Sequence, residues 1–326
     1  MYKSIEMNTT KPTTSKQNSG DRLAELLDAL AVREGKQPTS VAGVEVSRTS
    51  YPTAGTPVIY EPMILFIAQG RKIGYLGDEV LTYDKNHYLA LSVPVPFQCK
   101  VEASPEEPVL ALVISVDPTM LSEILINLDE PSISDVAVPR GIYSSGMTDE
   151  LRSAVIRLLE CLSSPTDSRI LGPQTVREIV YRVLQGEQGG AMRAMAARND
   201  QFMRIARVLQ FINTDFARPL STEDLAKQAR MSVSTFHQNF KAVTATSPLQ
   251  YLKNIRLHRA RLLMVNEGHN ANTAATAVGY ESASQFGREF KRLFGGSPAD
   301  DASKLRDRLV TAKGGTLDRW VPASTT

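Results

Sequence analysis

Two stretches of this chain follow the same pattern of small, apolar and polar residues. The first runs from Ser221 to Phe240 and reads STEDLAKQARMSVSTFHQNF, and the second runs from Thr273 to Phe294 and reads TAATAVGYESASQFGREFKRLF. Each contains a short helix with small inward residues, a tight turn, and a second helix with phenylalanines four residues apart. This pattern predicts two helix-turn-helix units whose turns lie about 50 residues apart along the chain.

Local signals predict where the helices of these units begin and end. Ser221 or Thr222 is predicted to cap the first helix, and Met231-Ser232 to form the turn and the next N-cap. In the second unit Gly279 is predicted to take a positive φ at the turn. Ser247-Pro248 begins a linking helix from Leu249 to about Val265, roughly 25 Å long. That length suits two recognition helices placed about one turn of DNA apart, so the expected ligand is duplex DNA read in two successive major grooves.

The side chains that remain on the second helix of each unit are the candidates for DNA contact. His237 is interpreted either as a base contact or as a solvated surface residue, and Arg288 either as a bidentate guanine contact or as a phosphate clamp. For Arg256 and Arg259 in the linking helix, phosphate contact and internal ion pairs stay equally open. The predicted DNA-contacting residues are Ser234, Thr235, His237, Gln238, Lys241, Ser284, Gln285, Arg288, Lys291 and Arg256.

Charge divides unevenly along the 326 residues, although the net charge of the whole chain is only +2. From residue 191 onward there are 20 Lys and Arg against 11 Asp and Glu, whereas the preceding part has 17 against 24. A basic C-terminal part behind an acidic N-terminal part is typical of a nucleic-acid-binding module joined to a different domain.

The N-terminal part changes from a helical pattern to closely spaced β-rich runs and back to helices. Separate turn signals between the runs predict a small barrel or jelly roll. The predicted runs are 44–47, 63–69, 73–75, 80–83, 87–92, 97–103 and 109–116, and the predicted helices are 22–32, 119–127, 148–163, 174–184 and 200–213. We expect a disordered segment at 1–20, a regulatory domain at 21–190, a DNA-binding domain at 191–302, and a flexible tail at 303–326.

The C-terminal domain resembles the DNA-binding domain of the AraC/XylS family of bacterial transcription regulators. The matching residues are Leu225-Ala226, Met231-Ser232, Phe236, Phe240-Lys241, Ser247-Pro248, Tyr251-Leu252, Arg256-Leu257, Ala260, Leu262-Leu263, Val278-Gly279-Tyr280, Ser284, Phe286, Phe290-Lys291, Phe294-Gly295 and Ser297-Pro298. The resemblance implies a seven-helix domain that grips two adjacent major grooves near a promoter.

Some positions depart from the family's pattern. Ala271 and Ala274 stand where the family usually has isoleucine, and Thr222 stands where leucine is common. Asp301-Ala302 replaces a Tyr-Arg pair. We expect these departures to weaken the stability of the second unit or its DNA contact, and to leave DNA binding intact.

Residues 22–190 resemble the N-terminal domain of one branch of the same family. The matching stretches are Tyr60-Glu61-Pro62, Gln69-Gly70-Arg71-Lys72, Leu76-Gly77-Asp78-Glu79, Tyr88-Leu89 and Ala103-Ser104-Pro105-Glu106-Glu107-Pro108. The resemblance implies a cupin-like β-barrel followed by helices, which senses a small molecule, dimerises, or does both.

Composition argues against several other classes of protein. His87 is the only histidine before residue 200, so a three-histidine metal site of the kind used by cupin enzymes is excluded there. Cys99 and Cys161 form no C-x-x-C pair, which argues against a zinc site, and isolated thiols suit a reducing cytosol. Residues 1–21 lack an apolar run, and no later stretch is long enough for a membrane helix. We therefore expect a cytoplasmic protein with no catalytic residues, metal or cofactor.

Three features of the N-terminal part have two interpretations each. Cys99 beside Lys100 is either a redox sensor or, as we favour, a half-buried strand cysteine. The run 69–72 is either an anion site or, as we favour, a charged hairpin. The apolar stripes at 151–162 and 176–183 form either a dimer interface or the surface packed on the barrel.

The sequence thus predicts an α+β protein: a cupin-like barrel with flanking helices and an all-α domain with two helix-turn-helix units. The expected function is regulation of transcription, and the expected partners are promoter DNA, a second copy in a homodimer, RNA polymerase and a small-molecule effector. One alternative is a regulator whose N-terminal domain binds a protein partner and no small ligand. Another is a barrel enzyme with an attached DNA module, against which the missing histidines argue.

Overall fold

The computed structural model of the protein describes residues 14–128, 138–196 and 200–311. After helix α1 (Thr14–Leu30), the N-terminal domain is built on one curled, antiparallel ten-stranded sheet. Its strand order is β1-β2-β9-β4-β7-β6-β5-β8-β3, with β10 also paired to β7. The strands are β1 (Gly35–Pro38), β2 (Val44–Thr49), β3 (Thr53–Tyr60), β4 (Met63–Gln69), β5 (Arg71–Leu76), β6 (Glu79–Asp84), β7 (His87–Leu91), β8 (Val95–Glu102), β9 (Val109–Ser115) and β10 (Ile142–Gly146).

Strands β4 and β9 at the middle of the sheet are buried on both faces. In β4, Met63, Leu65 and Ile67 belong to one hydrophobic cluster, while Ile64 and Phe66 belong to another. Successive side chains of a strand point to opposite faces, so a strand covered on both sides is apolar throughout. This explains the unbroken apolar run of β4, and the same holds for β9.

Helices cover the outer face of the sheet. They are α1, α2 (Pro118–Ile126), α3 (Asp149–Cys161), α5 (Gly172–Gln185) and α6 (Gly190–Ala196), while α4 (Pro165–Ile170) packs on α3 and α5. The apolar stripe of α3, which includes Leu151, Val155 and Leu158, is at most 2 % exposed and joins the outer-face cluster. The stripe of α5 is buried in the same cluster. Of the two interpretations of these stripes, packing on the sheet is therefore confirmed.

The C-terminal domain is all helical. It consists of α7 (Asp200–Asp215), α8 (Thr222–Gln228), α9 (Val233–Thr244), α10 (Pro248–Asn266), α11 (Ala271–Ala277), α12 (Ala283–Phe294) and α13 (Pro298–Thr311). Helix α13 includes residues 303–311, which the sequence assigned to a flexible tail, and α1 includes residues 14–20 of the expected disordered segment. The other parts of those two segments, 1–13 and 312–326, lie outside the described residues.

The hydrophobic clusters do not follow the domain boundary that the sequence predicts near residue 190. The inner face of the sheet and the first helix-turn-helix unit share one cluster, which runs from Leu65 and Val95 to Phe236 and Phe240. The second unit has a separate cluster around Phe286. The first unit is consequently packed as an extension of the N-terminal domain, and the boundary near residue 190 stays a prediction.

Arg71 and Lys72 begin strand β5, which forms a hairpin with β6, so the interpretation as a charged hairpin is confirmed. The turn at residues 69–70 itself joins β4 and β5, which do not pair with each other. Strand β4 pairs with β7 and β9, whereas β5 pairs with β6 and β8. Gly70 connects β4 to β5 with φ +76°. A Cβ at this position would lie 2.6 Å from a methyl carbon of Val109. The Arg71 guanidinium lies 3.8 Å from Asp84 and 3.9 Å from Glu102. These carboxylates also argue against an anion site.

Cys99 is only 2 % exposed and lies on the inner face of the sheet. Its sulfur is 3.1 Å from the Tyr83 hydroxyl, while Lys100 pairs with Glu102 at 2.7 Å. This placement supports the structural interpretation of the cysteine, with burial deeper than expected.

Candidate nucleic-acid interface

The first helix-turn-helix unit is fixed by two N-caps and a pair of buried rings. The Ser221 hydroxyl accepts a hydrogen bond from the Asp224 amide at 3.1 Å, which with the reverse bond completes a capping box on α8. The Ser232 hydroxyl accepts from the Thr235 amide at 3.2 Å and caps α9. Since Phe236 is fully buried with Phe240, the opposite face of α9 is turned outward. Both predicted caps are confirmed.

The second unit repeats this construction with small differences. Asn270 caps α11 and Ser282 caps α12, each through a side-chain oxygen. Gly279 has φ +87° at the turn, as predicted, whereas Arg230 takes φ +53° at the corresponding turn of the first unit. Phe286 and Phe290 are buried against α10 and α11. Like α9, helix α12 therefore presents a polar face to solvent.

All nine candidates on the two recognition helices are exposed, namely Ser234, Thr235, His237, Gln238, Lys241, Ser284, Gln285, Arg288 and Lys291. Two of them already have partners: the Thr235 hydroxyl lies 2.8 Å from Ser232, and the Gln285 amide donates to Glu289 at 3.2 Å. Within the described residues, Arg288 has no hydrogen bond or ion pair. Its guanidinium is thus available for a ligand, and its contact with DNA stays a prediction.

The basic side chains of helix α10 make contacts inside the protein, which was one of the two interpretations left open for Arg256 and Arg259. Lys253 pairs with Glu289 at 2.8 Å and Arg261 with Asp301 at 2.7 Å. The Arg259 guanidinium lies over the Phe216 ring at 5.2 Å, and the Nε2 atom of His258 is shielded from solvent. Arg256 donates to the carbonyl oxygens of Phe216 and Arg218, both at 2.8 Å. Phosphate contact by Arg256 stays a prediction, but the structure gives this residue a second, internal role.

The hydrogen bonds of Arg256 hold the loop that follows α7. This junction loop, residues 216–218, follows α7 and meets the turn of the second unit, where a Cβ on Gly279 would lie 2.3 Å from the Ala217 carbonyl oxygen. The linking helix α10 and the turn of the second unit therefore contact the same three residues. This arrangement holds the turn of the second unit against α10 through the loop.

Glu289 orients the second recognition helix and was missed from the sequence. Its carboxylate accepts from Lys253 and from the Tyr280 hydroxyl, both at 2.8 Å. Burial raises the pKa of Glu289, but these hydrogen bonds outweigh it and hold the pKa below its usual value. The only local sequence signal for this role was Gln285 four residues earlier on the same helix. It does not reveal the ion pair with Lys253, which lies on α10.

Sequence comparison agrees with this architecture. Residues 40–191 match the family model described as the N-terminus of AraC-type transcriptional regulators, and residues 225–303 match a helix-turn-helix domain.

The chain belongs to the AraC/XylS family.

Similar proteins include the HTH-type transcriptional activator RhaS of Klebsiella pneumoniae strain 342, which is 27 % identical over 147 residues. That match covers 45 % of this chain and 51 % of RhaS. RhaS of Salmonella paratyphi B is 30 % identical over 115 residues, a match that covers 35 % of this chain and 40 % of that RhaS. This AraC-family chain thus spans about half the length of the curated relatives that it matches.

Solved structures show the same fold at low sequence identity. ToxT of Vibrio cholerae has a TM-score of 0.54 and 13 % identity, covering 83 % of this chain and 98 % of ToxT. A structure of wild-type ToxT with a bound unsaturated fatty acid has a TM-score of 0.53 and 13 % identity. It covers 79 % of this chain and 94 % of ToxT. The arrangement of a curled sheet followed by two helix-turn-helix units is therefore shared within the family.

The departure from the AraC-family pattern at Asp301-Ala302 has a structural explanation. The Asp301 carboxylate accepts two hydrogen bonds from Arg261, at 2.7 and 2.9 Å, and both side chains are 13 % exposed. Arg261 also lies 4.4 Å from the centre of the Phe294 ring, and Ala302 is buried. Asp301 thus ties α13 to α10, and a weaker stability or DNA contact of the second unit stays a prediction.

A narrow cleft separates β3 from α10 where the two AraC-family domains meet. It encloses about 140 Å³ between residues such as Ile59 and Ile255. Beside it, burial raises the pKa of Glu61 to about 7, although the positive charges of Arg259 and Lys36 lower it. The carboxyl group is thus protonated more readily in the folded chain than in the unfolded one.

Glu61→Gln is expected to reduce the dependence of stability on pH. The pKa of Glu61 rises from 4.5 to about 7 on folding. The stabilisation that results from this raised pKa is therefore fully present below pH 4.5, and it is lost as the pH rises through about 7. We expect the wild-type chain to lose about 1–2 kcal/mol relative to the variant over this window, measured by urea unfolding at several pH values. Parallel pH profiles for the two chains would contradict the burial of this carboxyl group.

Among the described residues, no three His, Cys, Asp or Glu side chains lie close enough to hold a metal ion. In the same parts of the chain, every helix is too short or too polar to span a lipid bilayer.

Proposed function

We propose that this chain is a sequence-specific DNA-binding regulator of transcription that reads two successive major grooves of promoter DNA. The observation that carries the proposal is the pair of recognition helices α9 and α12, each capped at its N-terminus and each with an exposed polar face. Helix α10 joins the units over 19 residues, or about 28 Å, which is close to one turn of DNA. The cytoplasm, where promoter DNA lies, is the proposed location.

Selection of bound DNA tests this proposal directly. The full chain is incubated with fragments of bacterial genomic DNA at physiological salt, and the retained fragments are sequenced. We expect enrichment of a bipartite site whose halves lie about one helical turn apart. Binding with no preference among fragments would reject sequence-specific regulation.

Arg288→Ala is expected to relax specificity at one position of the selected site and to cost about 1–3 kcal/mol of binding free energy, provided that Arg288 reads a guanine. The measurement is binding to the selected site and to its single-base variants at several salt concentrations. Arg292→Ala, an exposed arginine on the same helix, is the matched control. A uniform loss on all sequences, with a shallower salt slope, would instead identify Arg288 as a phosphate contact.

Control of DNA binding is assigned to the N-terminal domain, through a small-molecule effector or through homodimerisation. The ToxT structure with a bound unsaturated fatty acid supports an effector in a protein of this fold. In this chain the cleft of about 140 Å³ at β3 and α10 is smaller than a typical ligand pocket, so a ligand there would have to open it. RNA polymerase is the further partner that promoter regulation requires.

A second candidate is a regulator whose N-terminal domain binds a protein and no small ligand. The observation that favours it is the filled inner face of the sheet, where Leu65, Leu89 and Val95 are at most 2 % exposed. Calorimetry against a library of small metabolites would separate the two candidates, because a filled interior predicts no binding heat.

A further inference from the structure

The segment that leads into β10 contacts the end of the first recognition helix. The Gly141 amide donates to the Val243 carbonyl oxygen at 2.9 Å, and the Arg140 guanidinium donates to the Lys241 carbonyl oxygen at 3.5 Å. Both acceptors lie in the last turn of α9, where the Lys241 carbonyl oxygen also accepts from the Ala245 amide at 2.9 Å. Residues 140 and 141 of the N-terminal domain therefore cap a helix of the DNA-binding domain.

The same two residues are tied to the sheet. The Gly141 carbonyl oxygen accepts from the amide of Ser92 at 2.8 Å and from its hydroxyl at 3.2 Å. The Arg140 guanidinium also pairs with Glu79 at 2.8 Å. A single residue, Gly141, thus joins the end of β7 to the end of α9 through its two peptide groups.

Packing around Gly141 leaves no room for a side chain. A Cβ at this position would lie 2.3 Å from a methyl carbon of Val93 and 3.3 Å from both a methyl carbon and the carbonyl oxygen of Val243. Val93 and Val243 are at most 2 % exposed and belong to the cluster shared by the two domains. The close approach of the sheet to α9 therefore depends on a glycine.

The second recognition helix lies near strand β3 of the N-terminal domain but is attached to it differently. Among the described residues, no hydrogen bond joins the N-terminal domain to α12, and the core of the second unit is a separate cluster. Helix α12 is instead positioned from within the C-terminal domain, by Glu289 and by the junction loop.

We propose that residues 138–141 form a clamp through which the N-terminal domain positions the first recognition helix, by backbone hydrogen bonds that the second one does not receive. The inference rests on the proposed function and specifies its regulation. A structural change at the edge formed by β7 and β10 alters the reading of one half of the DNA site, the half bound by α9. The half bound by α12 is read with unchanged specificity.

The test uses the full chain and a DNA site that it enriches from a random library, together with two derivatives in which one half or the other is scrambled. The half read by α12 is identified as the one in which Arg288→Ala relaxes specificity. Gly141→Ala is the disrupting variant. The matched control is Gly146→Ala at the other end of β10, where a Cβ has no neighbour within 4 Å.

We expect Gly141→Ala to bind the intact site about tenfold more weakly and to become insensitive to scrambling of the α9 half. It should stay as sensitive as the wild type to scrambling of the α12 half, and Gly146→Ala should behave as the wild type throughout. Arg140→Ala removes one cap without a steric clash, and a loss of about two- to fivefold confined to the α9 half is expected.

Two further outcomes separate this proposal from the proposed function. If the wild-type chain enriches no sequence, the proposed function and the clamp are both rejected. If the wild type reads both halves and Gly141→Ala and Arg140→Ala lose affinity equally on both, or on neither, only the clamp is overturned. Should Gly141→Ala fail to fold, Arg140→Ala decides alone, since its side chain is partly exposed.

Discussion

Asp301→Ala is expected to lower the free energy of unfolding of the C-terminal domain by about 3–5 kcal/mol. The substitution leaves the Arg261 guanidinium, which is 13 % exposed, without the carboxylate that accepts its two hydrogen bonds. Burying an unpaired charge costs more than the pair itself contributes, because the desolvation of arginine is then uncompensated. Asp301 also lies in the first turn of α13, where a negative charge is favourable.

Urea unfolding followed by circular dichroism measures this loss. The control on the same helix is Lys304→Ala, an exposed residue whose loss should change stability by less than about 0.5 kcal/mol. The double variant Arg261→Met with Asp301→Leu should recover most of the stability, because it removes both charges at once. Equal stability of Asp301→Ala and the wild type would show that water reaches Arg261 freely.

Gly279→Ala is expected to destabilise the second helix-turn-helix unit by about 3 kcal/mol. At φ +87° an alanine is strained, and its Cβ would lie 2.3 Å from the Ala217 carbonyl oxygen. That oxygen belongs to the junction loop, whose neighbouring carbonyls are held by Arg256. The loop cannot retreat without breaking these hydrogen bonds, so the spacing of the two recognition helices should change as well.

Gly287→Ala is the matched control for this substitution and has the opposite expected sign. Gly287 lies within α12, where a Cβ meets nothing within 4 Å. Alanine there should raise stability by about 0.5–1 kcal/mol, because glycine is a poor helix former. Thermal unfolding of the two variants compares the positions directly. If Gly279→Ala and Gly287→Ala shift the melting temperature in the same direction, the positive φ and the close contact of Gly279 do not explain its effect.

Sequence patterns predicted the central strands better than the marginal ones. Strand β4 was placed at its observed bounds because its apolar run is unbroken. Strands β1, β3 and β10 were missed, and β3 contains Gly55 and Pro57, which normally interrupt strands. It lies at one end of the strand order, where a proline need not donate to a neighbour. Its β-structure follows from pairing with β8, which no local pattern reveals.

The sequence by itself determined the repeated helix-turn-helix units, their caps and the polar faces of α9 and α12. These features depend on residues within one or two helical turns of each other, so periodicity and capping residues specify them. The roles of the basic residues of α10 were decided only in the tertiary structure. Arg256 and Arg261 find their partners 40 residues away, in a loop and in α13. The contact of Gly141 with Val243 likewise depends on how two domains pack, because a backbone hydrogen bond between distant segments leaves no pattern in the side chains.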